Sequence, residues 1–198
     1  MSRLLGHLDK GLIFVVSAPS GAGKTTLVKR LIRDLPVCKR SVSCTTRTKR
    51  EGESDGKDYF FLSKEAFQQK EDEGAFLETA SVFGHEYGTL KSTIEGITNR
   101  GHHAFLVIDT QGAAKLRKEI EAIFIFILPP SIEELKARLK KRGSEDEKTK
   151  QLRLDESTKE MAQASNYDYQ IINDDLDTAY EILRSIVIAE EYKVRNKT

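Results

Sequence analysis

The sequence predicts an α/β fold in which a parallel β-sheet is flanked by helices. Four apolar runs recur along the chain, as in strands that are buried on both faces: residues 12–16, 105–108, 123–128 and 169–172. Segments with apolar residues at helical spacing lie between them, and this alternation predicts right-handed crossovers within one parallel sheet. Residues 41–92 differ in pattern and predict a separate insertion.

The first apolar run leads directly into a glycine-bearing turn and then a helix. Residues 17–26 read Ser-Ala-Pro-Ser-Gly-Ala-Gly-Lys-Thr-Thr. The following apolar residues fall on one helical face, and Pro36 ends the helix. A strand, turn and helix in this order are typical of a phosphate-binding loop, in which backbone N–H groups and the helix N-terminus face phosphate oxygens.

The side chains of this loop predict a nucleoside triphosphate site. Lys24 offers a charge to the β- and γ-phosphates, and Thr25 offers a hydroxyl to Mg²⁺. Ala18 stands where the usual motif has its first glycine, a change of one methyl group. The loop alone does not distinguish a kinase from a switch or a motor. The predicted ATP-binding residues of the loop are Ala18, Pro19, Ser20, Gly21, Ala22, Gly23, Lys24, Thr25 and Thr26.

The later elements have their own signals. Turn-forming residues cluster at 51–56, before a strand-like run at 59–62, so we expect a small, partly antiparallel insertion. Ser131 and Glu134 form a capping box that opens a helix. Residues 141–160 form a charge-dense helical segment with few apolar side chains, which we expect to pack weakly and move.

The composition of the chain limits the kinds of molecule that it is expected to bind. The 198 residues predict one globular unit with insertions, and 32 basic residues nearly balance 31 acidic ones. We therefore expect a nucleotide ligand and no nucleic-acid partner. The longest apolar stretch is too short for a bilayer, no signal peptide is evident, and Cys38 and Cys44 suit a reduced compartment. These features predict a soluble, cytoplasmic protein with no membrane partner.

Two further groups of residues suggest chemistry. Asp109 follows the apolar run 105–108, where a carboxylate can organise Mg²⁺ through water, although an aspartate there also commonly caps a helix. Arg47 and Arg50, three residues apart, can converge on one phosphate, or they can belong to an ordinary solvated basic loop. The four histidines have no ligand spacing, and we expect structural or surface roles for them.

In order and spacing, these motifs closely resemble the guanylate kinase family over nearly the whole chain. The matching segments are Ser17–Thr26, Ser43–Arg50, Tyr59, Phe76–Glu78, Tyr87–Thr89, Asp109–Gly112, Pro129–Ser131, Arg138–Gly143 and Ile172–Asp175. The resemblance implies Mg²⁺-dependent transfer of a phosphoryl group from ATP to GMP, without a covalent enzyme intermediate, in purine nucleotide metabolism.

The resemblance also implies a GMP site. Its implied members are Ser43, Arg47, Arg50, Tyr59, Glu78, Tyr87, Thr89 and Asp109. The arginines and tyrosines are expected to clamp the phosphate, and Ser43 and Thr89 to meet the base's other polar edge. Glu78 is expected to accept hydrogen bonds from the guanine N1–H and 2-amino groups. Adenine has an acceptor at N1 and would leave that carboxylate poorly paired, so discrimination should be large.

A helical lid and a division into domains are implied in the same way. Residues 1–40, 93–130 and 166–198 form the expected core, 41–92 the GMP-binding domain and 131–165 the lid. Arg138 and Arg142 share one helical face and are expected, with Arg153, to close over the ATP phosphates, while Asn173 lies near the adenine. Alternatively, these arginines belong to a solvated helix face. With Lys24 and Arg47 they make up the predicted catalytic set.

Two residues differ from the usual pattern of the family, and the sequence leaves three other functions to be considered. Val107 stands where many family members have a first acidic residue, and Lys49 where proline is usual. A kinase for another small acceptor, such as thymidylate or a phosphorylated sugar, is one rival. A peptide-binding scaffold module that has lost catalysis is another. A regulatory GTPase is disfavoured because no Asn-Lys-x-Asp guanine reader follows the apolar strands. Oligomeric state and tolerance of dGMP are left open.

Overall fold

A five-stranded parallel sheet forms the centre of the fold. The computed structural model describes residues 4–82, 84–141 and 147–195. The strand order is β2-β7-β1-β8-β9, and every neighbouring pair is parallel, so the predicted sheet is confirmed. Its strands are β1 (Ile13–Ser17), β2 (Cys38–Arg40), β7 (His103–Val107), β8 (Ile123–Leu128) and β9 (Tyr169–Ile172).

The insertion predicted at 41–92 contains a second, smaller sheet. Its strands are β3 (Cys44–Thr45), β4 (Phe60–Phe61), β5 (Phe76–Val82) and β6 (His85–Leu90). The order is β4-β3-β6-β5, in which β3 and β4 are parallel and the other pairs antiparallel. The expectation of a partly antiparallel insertion is therefore confirmed.

Seven α-helices are described, and several begin at a side-chain cap. They are α1 (Lys24–Asp34), α2 (Lys64–Asp72), α3 (Lys91–Thr98), α4 (Thr110–Leu116), α5 (Ile132–Lys141), α6 (Glu147–Met161) and α7 (Leu176–Tyr192). Ser63, Asp109 and Asp175 accept from backbone N–H groups of α2, α4 and α7. The predicted cap at Ser131 is present, since Glu134 N–H donates to its hydroxyl at 3.1 Å. Within the described ranges, no helix is long and apolar enough to cross a bilayer.

Helices cover both faces of the parallel sheet. Phe14 and Val16 of β1 face a buried cluster that includes Leu31 of α1 and Leu183 of α7. Val15 points the other way, into a cluster with residues of α3 and α4. Successive side chains of a strand alternate between faces, so an uninterrupted apolar run is what a sheet between two helical layers requires.

The sequence pattern located β8 and β9 to the residue but missed β2. Strand β2 has three residues, of which Cys38 is buried and Lys39 is exposed, so it lacks an apolar run. It forms because it pairs with β7, a contact between segments about 65 residues apart in sequence. The charge-dense segment is helical as α6, while residues 142–146 lie outside the described ranges.

A buried histidine and glutamate hold the N-terminal segment to α7. His103 Nε2 lies 2.6 Å from Oε2 of Glu191, and its Nδ1 accepts from Leu12 N–H at 3.0 Å. The other oxygen of Glu191 accepts from the N–H groups of Gly6 and His7. Burial lowers the pKa of His103 below its ordinary 6.5, although Glu191 opposes this shift. The structural role expected for this histidine is thus confirmed.

We predict that lowering the pH from 7.5 to 5.5 destabilises the wild type more than a His103→Gln variant. The unfolded chain takes up a proton at this histidine below pH 6.5, whereas the folded chain resists it because the folded pKa is lower. This contribution to stability is therefore present above pH 6.5 and is lost as the pH falls. Urea unfolding at several pH values measures the difference, and parallel pH profiles for the two proteins would contradict it.

Candidate active site

The phosphate-binding loop lies at the carboxyl edge of the parallel sheet, between β1 and α1. Gly23, the last residue before α1, has a φ of +93°. A Cβ added there would lie 2.3 Å from Nδ2 of Asn173. That Nδ2 donates to the Ala22 carbonyl at 2.7 Å. Asn173, which follows β9, therefore holds the loop's backbone in place. Its predicted contact with adenine stays a prediction.

Lys24 extends across this edge towards the end of β7. Its Nζ donates to the Ile108 carbonyl at 3.2 Å. Burial lowers the pKa of Lys24, and the nearby carboxylates of Glu160 and Asp109 oppose that shift. An ammonium group in this position, in the field of two carboxylates, can donate hydrogen bonds to phosphate oxygens at the mouth of the loop.

Asp109 caps a helix, which is one of the two roles considered for it from the sequence. Its Oδ1 caps α4 by accepting from Gly112 N–H at 2.8 Å, and its backbone carbonyl lies 3.4 Å from the Ser17 hydroxyl. The same carboxylate interacts with Lys24. The cap fixes the side chain beside the loop, so the structural role does not exclude a role in binding a cation. Thr25, the other predicted Mg²⁺ ligand, is exposed in the first turn of α1.

Two residues that no sequence motif marked lie near Asp109, and one of them, Glu160, also lies near Lys24. Burial raises the pKa of Glu160, in α6, to about 7, while Lys24 and the Ser20 N–H lower it. Burial raises the pKa of Tyr167 to about 12, and its ring packs on Phe126 with centroids 4.9 Å apart. Within the described part of the chain, the buried Tyr167 hydroxyl has no well-formed hydrogen bond. Neither residue belongs to a local motif, so no sequence signal marked them.

Glu78 forms a second polar site, in the smaller sheet. Its side chain is buried, and its Oε1 accepts from the Thr89 hydroxyl at 2.8 Å, because β5 and β6 pair these two residues. Burial raises the pKa of Glu78 to about 7, and the Thr89 hydrogen bond partly opposes this. Ser43, also buried, lies one residue before the Cys44–Gly88 pair on the next strand. Glu78 and Thr89 thus lie on adjacent strands, and Ser43 directly precedes β3, the next strand of that sheet.

The absence of a side chain at Gly112 leaves room for this carboxylate. A Cβ at Gly112 would lie 2.6 Å from Oε2 of Glu78. Gly112 belongs to α4, which packs on the parallel sheet, whereas Glu78 belongs to the smaller sheet. The contact therefore joins α4 to the smaller sheet beside Asp109.

A cluster of aromatic and basic residues follows along the smaller sheet. The rings of Tyr59 and Tyr87 are 5.9 Å apart, and the Arg47 guanidinium lies 5.4 Å from the Tyr59 ring centre. Arg47 Nη2 donates to Glu53 Oε1 at 2.7 Å, and Glu53 together with the Tyr87 hydroxyl raises the pKa of Arg47. Glu53, which no sequence motif marked, holds Arg47 in the cluster.

The structure gives fewer side-chain contacts for Arg50 and for the arginines of the expected lid. Arg50 donates its backbone N–H to Glu53 at 2.8 Å, and its side chain is exposed. Arg138 donates to Glu134 at 2.9 Å and to the Asn173 carbonyl at 3.1 Å, which links α5 to the residue after β9. Arg142 lies outside the described residues, as does the side chain of Arg153 in α6. Convergence of these arginines on phosphates stays a prediction.

Comparison with known proteins decides the family. A sequence model described as guanylate kinase matches residues 10–190. The chain belongs to the guanylate kinase family. It is 48% identical over 195 residues to a guanylate kinase of Protochlamydia amoebophila, covering 98% of this chain and 99% of that protein. It is 50% identical over 182 residues to one from Chlamydia felis, covering 91% and 89%.

A solved structure supports the same assignment. The chain resembles the crystal structure of guanylate kinase from Anaplasma phagocytophilum with a TM-score of 0.78 and 35% identity, covering 93% of this chain and 88% of that one. Of the two residues that depart from the family pattern, Val107 packs against the buried cluster that includes Leu31 and Leu183, and Lys49 is exposed.

We predict that Gly112→Ala destabilises the fold by about 1–3 kcal/mol because the new methyl group overlaps Glu78. Gly96→Ala is the matched control, since it also lies in a helix and its Cβ would meet nothing within 4 Å. That control should gain about 0.5–1 kcal/mol from the better helix propensity of alanine. Urea unfolding measures both, and equal effects of the two changes would contradict the close approach.

Proposed function

We propose that this chain transfers the terminal phosphoryl group of ATP to the phosphate of GMP, giving ADP and GDP. The observation that carries this choice of acceptor is the buried carboxylate of Glu78, bonded to Thr89 beside the triphosphate loop. Membership of the guanylate kinase family points to the same reaction.

Glu78 selects guanine through its need for hydrogen-bond donors. A buried carboxylate that lacks partners is costly, and its raised pKa reflects that cost. Guanine offers N1–H and a 2-amino group side by side, whereas adenine offers an acceptor at N1. A site built around such a contact rejects the wrong base strongly, because the mismatch leaves a buried group unpaired. Ser43 and Thr89 meet the remaining polar edge.

The acceptor phosphate binds at the cluster of Arg47, Tyr59 and Tyr87, with Arg50 at its edge. Glu53 and the Thr48 carbonyl each accept one N–H of the Arg47 guanidinium, and its three remaining N–H groups can donate to phosphate oxygens. Two phenolic hydroxyls add neutral donors. The phosphate therefore keeps its charge and its reactive oxygen.

The donor phosphates bind in the loop from Ala18 to Thr26. Backbone N–H groups, the N-terminus of α1 and Lys24 balance their charge. The attacking oxygen of GMP is already anionic, so the reaction needs neither a general base nor a nucleophilic side chain. Alignment of the two phosphates and stabilisation of charge supply the rate enhancement.

Mg²⁺ fits the residues beside Lys24. Thr25 would hold it directly and Asp109 through water, and the buried Tyr167 hydroxyl offers a further polar atom next to Asp109. Oxygen donors and water are the ligands that this cation prefers. When bound, the ion neutralises phosphate charge.

We assign a separate role in the reaction to each of three parts of the chain. Residues 1–40, 93–130 and 166–198 carry the loop, residues 41–92 bind GMP, and residues 131–165 act as a lid. Arg138, Arg142 and Arg153 are brought over the ATP phosphates when the lid closes, and Asn173 supports the loop at the adenine side. Closure excludes water, which would otherwise accept the phosphoryl group.

The direct test is ADP release from Mg-ATP with each of GMP, dGMP, AMP, UMP and dTMP as acceptor. We expect turnover with GMP and none above background with AMP, UMP or dTMP. The dGMP arm measures tolerance of the missing 2′-hydroxyl. Turnover with dTMP but not GMP would favour the rival acceptor, and no turnover with any acceptor would favour a scaffold.

We predict that Lys24→Met lowers kcat by about 10³-fold because it removes a fixed charge from the transferring phosphates. Lys118→Met makes the same chemical change on an exposed part of the chain and should leave kcat unchanged. Circular dichroism and urea unfolding show whether both variants fold. Near-normal turnover by Lys24→Met would overturn the proposed mechanism.

We predict that the KM for GMP rises as the pH falls from 8 to 6. Glu78 accepts both guanine donors only when ionised, and its pKa of about 7 means that protonation competes below that pH. The limiting slope is about tenfold per pH unit. The Glu78→Gln variant should bind GMP weakly at every pH, and its KM should lack the part of the pH dependence that comes from ionisation of Glu78. The GMP phosphate itself titrates near pH 6, so the variant's profile is the baseline, and equal slopes would refute the role of Glu78.

A further inference from the structure

Arg40 is a basic residue that the site described above does not use. It is the last residue of β2, the edge strand of the parallel sheet. Its side chain leaves that sheet, and Nη2 donates to the backbone carbonyl of Asp58 at 3.1 Å. The loop containing Asp58 leads into the smaller sheet. Arg40 therefore bridges the two sheets.

The residue after this contact is Tyr59. The Arg40 guanidinium lies 5.8 Å from the Tyr59 ring centre, and that of Arg47 lies 5.4 Å from it. Both guanidinium groups lower the pKa of Tyr59, although burial raises it by more. Cations at these distances from an aromatic ring attract it and restrict its position.

This placement of Arg40 is not explained by packing alone. Its Nε is buried and has no hydrogen-bond partner within the described ranges. A buried N–H without a partner is unfavourable, and an unbranched apolar side chain could cover the same surface without it. The Asp58 carboxylate is held elsewhere, because Oδ2 accepts from Ser54 N–H at 2.9 Å and Oδ1 lies 4.0 Å from Lys29.

We propose that Arg40 is a positioning residue for the acceptor phosphate and acts through Tyr59. It ties the loop before Tyr59 to β2, and β2 pairs with β7, whose end meets Lys24 at the Ile108 carbonyl. The tyrosine that binds the GMP phosphate is thereby held to the same sheet that holds the donor loop. This rests on the proposed function, since it concerns alignment of the two phosphates.

A double-mutant cycle tests the proposal. The variants are Arg40→Met, Tyr59→Phe and the double variant, with kcat and KM measured separately for GMP and ATP. Arg40→Met and Tyr59→Phe should each lower kcat/KM for GMP about tenfold, and the double variant no more than about twofold further. Tyr59→Phe removes the hydroxyl that contacts the phosphate, and Arg40→Met displaces that same hydroxyl, so the second change finds little left to remove. The KM for ATP should stay within about twofold of wild type.

Lys39→Met is the matched control. Lys39 precedes Arg40 on β2, is exposed, and points to the opposite face of the strand. The change removes the same charge without touching Tyr59, so GMP kinetics should equal those of wild type. Urea midpoints identify any variant that unfolds, and Arg40→Lys replaces Arg40→Met in the cycle if the latter does not fold.

Multiplicative losses in the double variant would overturn the proposal, as would unchanged GMP kinetics in Arg40→Met or an equal loss in Lys39→Met. These results leave the proposed function intact as long as the wild type phosphorylates GMP. A wild type that releases no ADP with GMP contradicts both.

Discussion

The burial of one carboxylate at the junction of two sheets is the constraint on which the acceptor site depends. Glu78 projects from β5 of the smaller sheet, and its oxygen reaches α4 only because Gly112 has no side chain. Thr89 satisfies part of its hydrogen-bonding capacity, and burial keeps its pKa near 7. The position that packs the smaller sheet against α4 is thus also the position that needs a ligand with two adjacent donors. Choice of base and placement of the smaller sheet have the same physical origin.

The parallel sheet serves as the common reference for both phosphates. Backbone carbonyls at its carboxyl edge and in the loops beside it fix the side chains that matter: Lys24 reaches Ile108, Asn173 reaches Ala22, and Arg40 reaches Asp58. Phosphoryl transfer between two anions requires little covalent chemistry from the protein, so precision of placement and compensation of charge decide the rate. Contacts to backbone suit this purpose, because a carbonyl position is set by the main chain and not by a flexible side chain.

Patterns within a few residues of sequence predicted the features of the fold that neighbouring residues determine. The apolar run 123–128 marks β8, and the glycine-bearing turn before Lys24 marks the loop, since both follow from alternation and backbone geometry within a few residues. Strand β2, Glu160 and the pairing of His103 with Glu191 were not predicted. Each depends on a partner far away in sequence, and none carries a local signature. The resemblance to a family supplied Glu78 and Thr89, and strand pairing explains why they meet.

The ionisation of Glu78 tests the account most directly. With carbon-13 label in the glutamate side chains, and Glu78→Gln to assign the resonance, NMR can follow its titration in the free protein and with saturating GMP. The account predicts a pKa near 7 in the free protein and a fall of at least about one unit when guanine donates to the carboxylate. A Glu78 that titrates at the ordinary glutamate value, or whose pKa does not change when GMP binds, would contradict it.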